Sequence, residues 1–197
     1  MAGVLDDVRA HLRAHFPGVE PDSASVTFLG AEPMEVLRFR GSGAPVHYVS
    51  VGCSRHPMTD PAQTIAEPER GPRAEVVVRL RDTGPATGIA RSLAVLAATP
   101  VVEGVVLVAD ALIDLGSPLW AWPSRRAPFT AVLLGRSDIG DLALEPPRDP
   151  VTFLSATPIT ATEAAWVRLK GAEAMRQAWR SDGVDVLDPN RPAAQPR

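Results

Sequence analysis

Residue types that could do chemistry occur close together in one segment of the chain, Gly52–Asp60. The segment contains Cys53, Ser54, His56 and Asp60. A cysteine beside a histidine is the pattern of an activated nucleophile, and a serine, a histidine and an acid are the residue types of a hydrolase triad. Residues three apart in a proline-containing loop do not reliably meet, however, and known triads are assembled from distant parts of a chain.

We therefore predict no catalytic residues in this segment and interpret it as a polar loop with a half-buried cysteine. The alternative hypothesis is a small hydrolase or thiol enzyme in which Cys53 is the nucleophile and His56 is its base.

The same part of the chain contains residues with suitable donor atoms for a metal ion, namely Cys53, His56, His47 and Asp60. Zinc takes three or four such ligands in tetrahedral geometry. The Cys-x-x-His spacing alone is a weak signal, and His47 lies on a predicted strand whose two faces the sequence does not distinguish. We predict no metal site here.

Two further histidines, His11 and His15, are four residues apart on the first predicted helix, a spacing that could hold a metal ion. No carboxylate or third histidine accompanies them, so surface histidines are the favoured interpretation. No glycine-rich phosphate loop opens any predicted helix, and we expect no cofactor.

A segment rich in proline and aromatic residues, Ser117–Phe129, is the best candidate for a surface that binds a partner. Tryptophan and arginine are enriched where protein interfaces gain most of their energy. Trp120 and Trp122 are two residues apart, so they share a face if the segment is extended. The residues predicted to contact a partner are Trp120, Trp122, Arg125, Arg126 and Phe129. Two alternatives stay open: the tryptophans cover the rim of the core, or a homodimer buries the loop.

Val151–Trp179 is the stretch around which we expect the rest of the chain to be organised. Val151–Ala156 is apolar on both faces, which predicts an interior strand that stops before Pro158. Thr160 precedes Glu163 by three residues, which is the signature of a capping box where a helix begins.

The remainder of this stretch predicts one long amphipathic helix. Its apolar residues recur every three or four positions and form one stripe, which consists of Ala165, Trp166, Leu169, Ala172, Met175 and Trp179. Gly171 weakens the helix by about 1 kcal/mol relative to alanine, and we expect it to kink the helix or to let it pass close to a neighbour. Trp166 and Trp179 are predicted to pack in the core.

The other predicted strands and helices do not alternate regularly along the chain. Predicted strands are Ser25–Leu29, Glu35–Phe39, Val46–Val51, Arg73–Arg81 and Thr130–Leu134, of which the first two form a hairpin. One face of Arg73–Arg81 is expected to be wetter. A first helix is predicted to end at Pro17 and a second at Thr99-Pro100, and Val101–Ala109 is predicted to be a bulged strand or a small hairpin. This order predicts an α/β (α+β) fold with a mixed, largely antiparallel sheet covered by helices.

Composition argues against several classes of function. The net charge is −3 and no basic stripe is visible, so nucleic-acid binding is disfavoured. Cys53 is the only cysteine, which excludes an intramolecular disulfide and a thiolate metal cluster. No apolar run approaches the ~18 residues of a membrane span, and no secretory signal is visible, so we expect a cytoplasmic protein that does not bind membranes.

The length of the chain, 197 residues, is typical of one domain. We predict a single domain over residues 1–183 and a loosely ordered tail over residues 184–197, because the tail lacks a core pattern. Gly52–Pro72 is the long irregular segment, and loops of this length are usually functional or disordered.

Several stretches resemble the suppressor-of-fused domain family: HYVSVGCS at His47–Ser54, AEVVVRLRD at Ala74–Asp82, SLAVLAA at Ser92–Ala98, DLGSPLW at Asp114–Trp120, FTAVLLG at Phe129–Gly135 and VTFLSATPITATEAAWVRLKGA at Val151–Ala172. The strand, turn and helix of the last stretch are the most specific match. The resemblance runs from about Val46 to Trp179.

This resemblance implies a non-enzymatic α/β domain that binds other proteins. The larger animal relative sequesters a transcription factor by clamping an extended peptide between two domains, but no matching peptide-contact residues are found here. Bacterial relatives resemble immunity proteins that bind and block polymorphic toxins. The arginine, alanine and proline content of this chain suits a bacterial member, so the sharpest hypothesis is an immunity protein whose partner is a toxin.

Overall fold

The fold is centred on one mixed sheet, seen in a computed structural model that describes residues 3–28, 30, 32–59 and 68–194. In this part of the chain the strands are β1 (Asp22–Val26), β2 (Met34–Phe39), β3 (Val46–Val51), β4 (Arg73–Leu80), β5 (Leu112–Asp114), β6 (Ala121–Trp122), β7 (Arg125–Arg126), β8 (Phe129–Arg136) and β9 (Val151–Thr160). Seven of them form the sheet, in the order β1-β2-β3-β4-β9-β8-β5, while β6 and β7 form a separate hairpin. Only β4 and β9 pair in parallel. The predicted largely antiparallel mixed sheet is confirmed.

Helices cover both faces of this sheet. They are α1 (Val4–His15), α2 (Ile89–Glu103), α3 (Ala161–Lys170) and α4 (Ala172–Ser181). α2 packs on one face, and α1 packs with the α3–α4 pair on the other. Val76 and Val78 of β4 therefore point to α2, while Val77 points to α1, and all three are buried. The prediction that β4 has one wetter face is wrong, because each face of the strand meets a helix.

The second helix does not end where proline was predicted to end it. α2 continues through Pro100 to Glu103, so the predicted strand or hairpin over Val101–Ala109 is also wrong. Pro100 has no N–H to donate to the carbonyl of Leu96, and Thr99 Oγ1 donates to that carbonyl instead, at 2.8 Å. The hydroxyl of Thr99 thus replaces the hydrogen bond that proline removes.

Strand β9 likewise runs through its proline. Pro158 lies opposite Val132 of β8, and its carbonyl accepts a hydrogen bond from Arg191 Nη2 at 2.9 Å. Because the N–H and C=O of one strand residue point to the same side, the missing N–H also faces Arg191 and not β8. The pairing of β4 with β9 reaches only Ser155, so no ladder bond is lost at Pro158.

The predicted long helix is two helices, α3 and α4, which are separated at Gly171. Thr160 and Glu163 form the predicted capping box at the start of α3, which is confirmed. Gly171 has φ of 90° and ends the first helix, so it does more than kink it. α4 buries Met175 and Trp179 as predicted.

The predicted apolar stripe is wrong over α3. That helix buries Glu163, Ala164 and Val167, while Leu169 is 73% exposed. Trp166 is half-buried against the cluster that α3 and α4 form with the sheet. The face of α3 is set by the burial of Glu163, which the apolar periodicity does not reveal.

Residues 184–194 pack on this helix pair, whereas the sequence predicts a loosely ordered tail from residue 184. Arg191 and Ala194 are only 4% and 5% exposed. Both terminal nitrogens of Arg191 donate hydrogen bonds to the Glu163 carboxylate, at 2.7 and 3.0 Å. Trp179 Nε1 donates to the same carboxylate at 3.0 Å. Burial alone would raise the pKa of Glu163, but the bonds from Arg191, Thr160 and Trp179 outweigh it and lower that pKa.

Candidate partner-binding groove

The segment around Cys53 forms a buried turn that is tied to a carboxylate from β4. Glu75 is fully buried, and its oxygens accept hydrogen bonds from the hydroxyls of Ser50 and Ser54 and from the backbone N–H of Gly52 and Ser54. Burial raises the pKa of Glu75, and these donors partly offset that rise. Every donor belongs to β3 or to the short turn over residues 52–55 that follows it, so Glu75 holds the turn against the sheet.

Only glycine fits at the first position of this turn. Gly52 has φ of 148°, and a Cβ there would lie 2.7 Å from Met34 Sδ. Arg73 also stabilises the turn, because its Nη1 donates to the carbonyls of Ser54 and Arg55 at 2.8 and 3.0 Å. The turn is therefore part of the buried framework of the domain.

The thiol of Cys53 is poorly placed to act as a nucleophile. Cys53 is 4% exposed, and burial together with the nearby Glu75 carboxylate raises the pKa of its thiol well above the ordinary value. His56 is exposed, and its Nε2 lies 3.2 Å from Glu32 Oε2. Ser54 donates its hydroxyl to Glu75, and Asp60 lies outside the described residues. The predicted polar loop is thus more deeply buried at Cys53 than expected.

The other histidines have partners of their own. His47 Nδ1 lies 3.2 Å from the carbonyl oxygen of Pro45. His11 Nε2 lies 2.7 Å from the carbonyl oxygen of Gly140, and His15 packs edge-on against a phenylalanine. Among residues 3–28, 30, 32–59 and 68–194, no three metal-binding side chains converge.

The predicted partner-binding residues all lie on or beside the hairpin of β6 and β7. Trp122 is half-buried beneath Arg125, whose guanidinium carbon is 3.6 Å from the centre of the indole ring. Trp122 Nε1 donates to the carbonyl of Thr83 at 2.9 Å. Two backbone hydrogen bonds between Thr87 and Ala121, at 2.9 and 3.0 Å, fix the hairpin to the loop before α2. The hairpin is therefore a rigid platform.

These five residues differ in burial: Trp120 and Phe129 are buried, Trp122 is half-buried, and Arg125 and Arg126 are exposed. Trp120 and Phe129 are 2% and 1% exposed and pack together with ring centres 5.2 Å apart, as one of the two open interpretations expected. The aromatic residues thus hold the platform, and the arginines lie at its surface.

A groove of about 340 Å³ opens between this hairpin and the start of α2. Its floor is formed by apolar residues that include Leu115, Leu119 and Trp120. Arg91 of α2 and Arg126 of β7 are the charged residues of its lining, and both are exposed. Neither makes an ion pair with another described residue.

Three other grooves on the described surface combine both signs of charge. One has Asp22 with Arg38, which form an ion pair at 2.6 Å. A second has Arg9 paired with Glu35 at 2.8 Å, and a third has two acids and one arginine. The groove between the hairpin and α2 differs from these three because its lining has positive charge without acids.

Arg91 is the groove residue that sequence reasoning missed. It lies in the first turn of α2, about 35 positions before Arg126, and its apolar neighbours gave no sign of a site. The two arginines line one groove because the Thr87–Ala121 bridge joins the loop before α2 to β6. The sequence predicted a strand in neither segment, so it gave no sign of this pairing.

Comparison with models of protein families shows which family this chain belongs to. The family model described as suppressor of fused protein (SUFU) matches residues 30–192. The chain belongs to the SUFU family. This confirms the resemblance noted in the sequence and extends it from about Val46–Trp179 to residues 30–192. No significant match to a curated protein is found.

Solved SUFU structures share the fold. A SUFU homologue from Neisseria gonorrhoeae has a TM-score of 0.68 and 18% identity, covering 95% of this chain and 94% of that chain. A chain in the Sufu-Fu complex has a TM-score of 0.70 and 15% identity, covering 96% of this chain and 91% of that chain. Drosophila Suppressor of Fused has a TM-score of 0.61 and 15% identity, and the match covers 98% of this chain but 50% of that protein.

No helix in the described part of the chain is both long and apolar enough to cross a membrane.

Proposed function

We propose that this SUFU domain is a non-enzymatic protein-binding module whose partner docks on the hairpin of β6 and β7 and the adjoining groove. The observation that carries the proposal is the pair of exposed arginines, Arg91 and Arg126, above an apolar floor in that groove. Exposed arginine beside buried aromatic residues is a composition typical of interface hot spots. One of the similar structures is itself a complex, of Sufu with Fu, which supports a binding role.

The proposed partner is a toxin, and the proposed role is that of an immunity protein in the cytoplasm of the cell that makes the toxin. An inhibitor of this kind acts by occupying a surface, so it needs a rigid, preformed platform rather than a reactive group. The hairpin meets that need, since Trp122, Thr83 and the Thr87–Ala121 bridge fix its position.

The thiol-enzyme alternative is less well supported. Its nucleophile, Cys53, is buried with a raised pKa, and His56 contacts Glu32 instead. A thiol-reactivity titration separates the two functions. We expect Cys53 in the folded protein to react far more slowly than free cysteine. Faster reaction would support the enzyme.

Co-expression tests the immunity role. The chain is expressed together with the protein encoded by the adjacent gene, and growth is compared with that of cells that make the adjacent protein alone. Protection by the wild type, with co-purification of the two proteins, is the expected result.

Two outcomes would contradict the proposal. One is neither protection nor a complex. The other is a homodimer in solution that occludes the hairpin, which light scattering of the wild type and of Arg126→Glu would reveal as a dimer that the substitution dissociates.

A further inference from the structure

We propose that the groove between α2 and the hairpin recognises a short acidic segment of the partner, with carboxylates held by Arg91 and Arg126 and an apolar side chain on the floor between them. This inference rests on the proposed function, because it names the chemistry of the segment that a protein partner would insert.

The charges of the groove support an acidic ligand. Many arginines elsewhere on the described surface pair with acids; for example, Arg168 contacts Asp114 and Arg176 contacts Asp110, at 2.7 and 2.5 Å. Arg91 and Arg126 have no such neighbour among the described residues, in a chain with 23 acidic residues and 20 basic ones. Arginine offers a planar pair of donors that fits a carboxylate, so these two side chains are suited to carboxylates from another molecule.

The start of α2 adds to the positive potential. α2 begins at Ile89, and its N-cap Gly88 lines the groove and supplies no side-chain cap. The N-terminal end of a helix carries uncapped backbone N–H groups and the positive end of the helix dipole. A carboxylate near Arg91 would therefore be stabilised by the helix as well as by the guanidinium.

The apolar floor restricts the sequence of the ligand. Leu119 and Trp120 are buried beneath the groove, and Val95 and Leu115 are half-buried at its sides. A run of acidic residues alone would leave this surface uncovered. The segment that fits best has an apolar or aromatic residue flanked by aspartate or glutamate.

A polyanion fits this surface less well than an acidic peptide. Binding of nucleic acid usually draws on a longer stripe of lysine and arginine, each neutralising a phosphate. The groove offers two arginines on a protein whose net charge is −3. The wider surface would repel a long polyanion, while a short segment meets only the local charge.

A labelled peptide tests the inference without the natural partner. The probe is a short fluorescent peptide in which leucine and phenylalanine alternate with glutamate, and its control has glutamine in place of each glutamate. Fluorescence anisotropy is measured with wild type at low salt and at about 0.5 M salt, where exposed charges are screened. We expect the acidic peptide to bind more tightly than the glutamine peptide, and high salt to remove the difference.

Charge reversal locates the binding site. Arg91→Glu/Arg126→Glu should weaken binding of the acidic peptide by about tenfold or more, because attraction becomes repulsion at both ends of the ligand. The matched control is Arg13→Glu/Arg136→Glu, which changes the net charge equally at two exposed arginines outside the groove. That control, and Arg91→Lys/Arg126→Lys, should bind within a few-fold of wild type.

Three results would overturn the inference: equal binding of the glutamine peptide, equal loss in the groove variant and its matched control, or tighter binding of single-stranded RNA than of the acidic peptide. Failure of the proposed function looks different. If the adjacent protein binds wild type and Arg91→Glu/Arg126→Glu equally, the protein-binding role stands and the acidic-segment inference falls. If no complex forms with the adjacent protein although the peptide binds through the arginines, the immunity role falls.

Discussion

The two buried glutamates and the two groove arginines of this SUFU domain show opposite uses of charge. Glu75 and Glu163 are both fully buried, and each accepts several hydrogen bonds from within the chain. Arg91 and Arg126 are exposed and have no described ion-pair partner. The two buried carboxylates accept hydrogen bonds from donors of the same chain. The two groove arginines remain available to bind an acidic group of another molecule. Substitutions at the glutamates should therefore change stability, and substitutions at the arginines should change binding.

The largest expected effect follows from removing Arg191. Arg191→Ala would leave the Glu163 carboxylate buried without its cation, which costs about 3–5 kcal/mol of the free energy of unfolding. Urea denaturation monitored by tryptophan fluorescence measures this. The double variant Glu163→Gln/Arg191→Met should recover part of the loss, since no unpaired charge remains. A loss below about 1 kcal/mol in Arg191→Ala would show that the segment 184–194 is not anchored as described.

Glu75 should rank next. Glu75→Ala leaves the donors of Ser50, Gly52 and Ser54 without an acceptor, which we expect to cost about 3 kcal/mol of unfolding free energy. Glu75→Gln keeps one acceptor oxygen and should cost about 1–2 kcal/mol. Both are measured by urea denaturation at neutral pH, together with peptide binding. Unchanged peptide affinity in the folded Glu75→Gln variant would confirm that Glu75 contributes to stability and not to binding. Lost affinity would show that the buried glutamates and the groove arginines do not have separate roles.

Acidification should change the contributions of the two glutamates to the free energy of unfolding in opposite directions. The pKa of Glu75 is raised in the fold, so its ionised form is disfavoured, and wild type should gain stability relative to Glu75→Gln as pH falls from that raised pKa towards the ordinary value of 4.5. The pKa of Glu163 is lowered, so its stabilisation is complete above about pH 4.5 and is lost as pH falls through the lowered value. Unfolding free energies of wild type, Glu75→Gln and Arg191→Met across this range would test both signs. Parallel pH profiles for all three proteins would contradict them.

The hairpin platform should show a smaller effect. Trp122→Ala removes the ring beneath Arg125 and the hydrogen bond to Thr83, and it should cost about 1–2 kcal/mol. Trp122→Phe keeps a ring under Arg125 and should cost less than about 1 kcal/mol. Calorimetry gives these differences. If Trp122→Ala weakened peptide binding with no loss of stability, Trp122 would be a contact residue rather than a support.

Sequence reasoning succeeded where the relevant contacts are local. The capping box of Thr160 and Glu163 spans three residues and was predicted. The pairing of the first two strands was also predicted, although β1 begins three residues before the predicted Ser25–Leu29. The burial of Glu163 was missed because its cation, Arg191, lies 28 positions away in a segment without apolar periodicity. Pro100 was misinterpreted although the relevant contact is local, because the hydroxyl of the adjacent Thr99 supplies the missing hydrogen bond.

The candidate groove was predictable only in part. The Trp and Arg residues of Ser117–Phe129 marked one wall, because their composition is typical of interfaces. The other wall comes from the first turn of α2, and Arg91 there resembles any exposed helix arginine. Two residues that line one groove only because distant segments pack together leave no shared pattern in the sequence.

The most direct measurement is the affinity of the adjacent gene's product for wild type, Arg91→Glu/Arg126→Glu and Arg13→Glu/Arg136→Glu, with their unfolding free energies determined in parallel. We predict stabilities within about 0.5 kcal/mol of one another, as for surface substitutions in general. We also predict tight binding to wild type and to the matched control, with affinity lost only in the groove variant. Equal affinity for all three proteins, or no binding to any of them, would contradict the account.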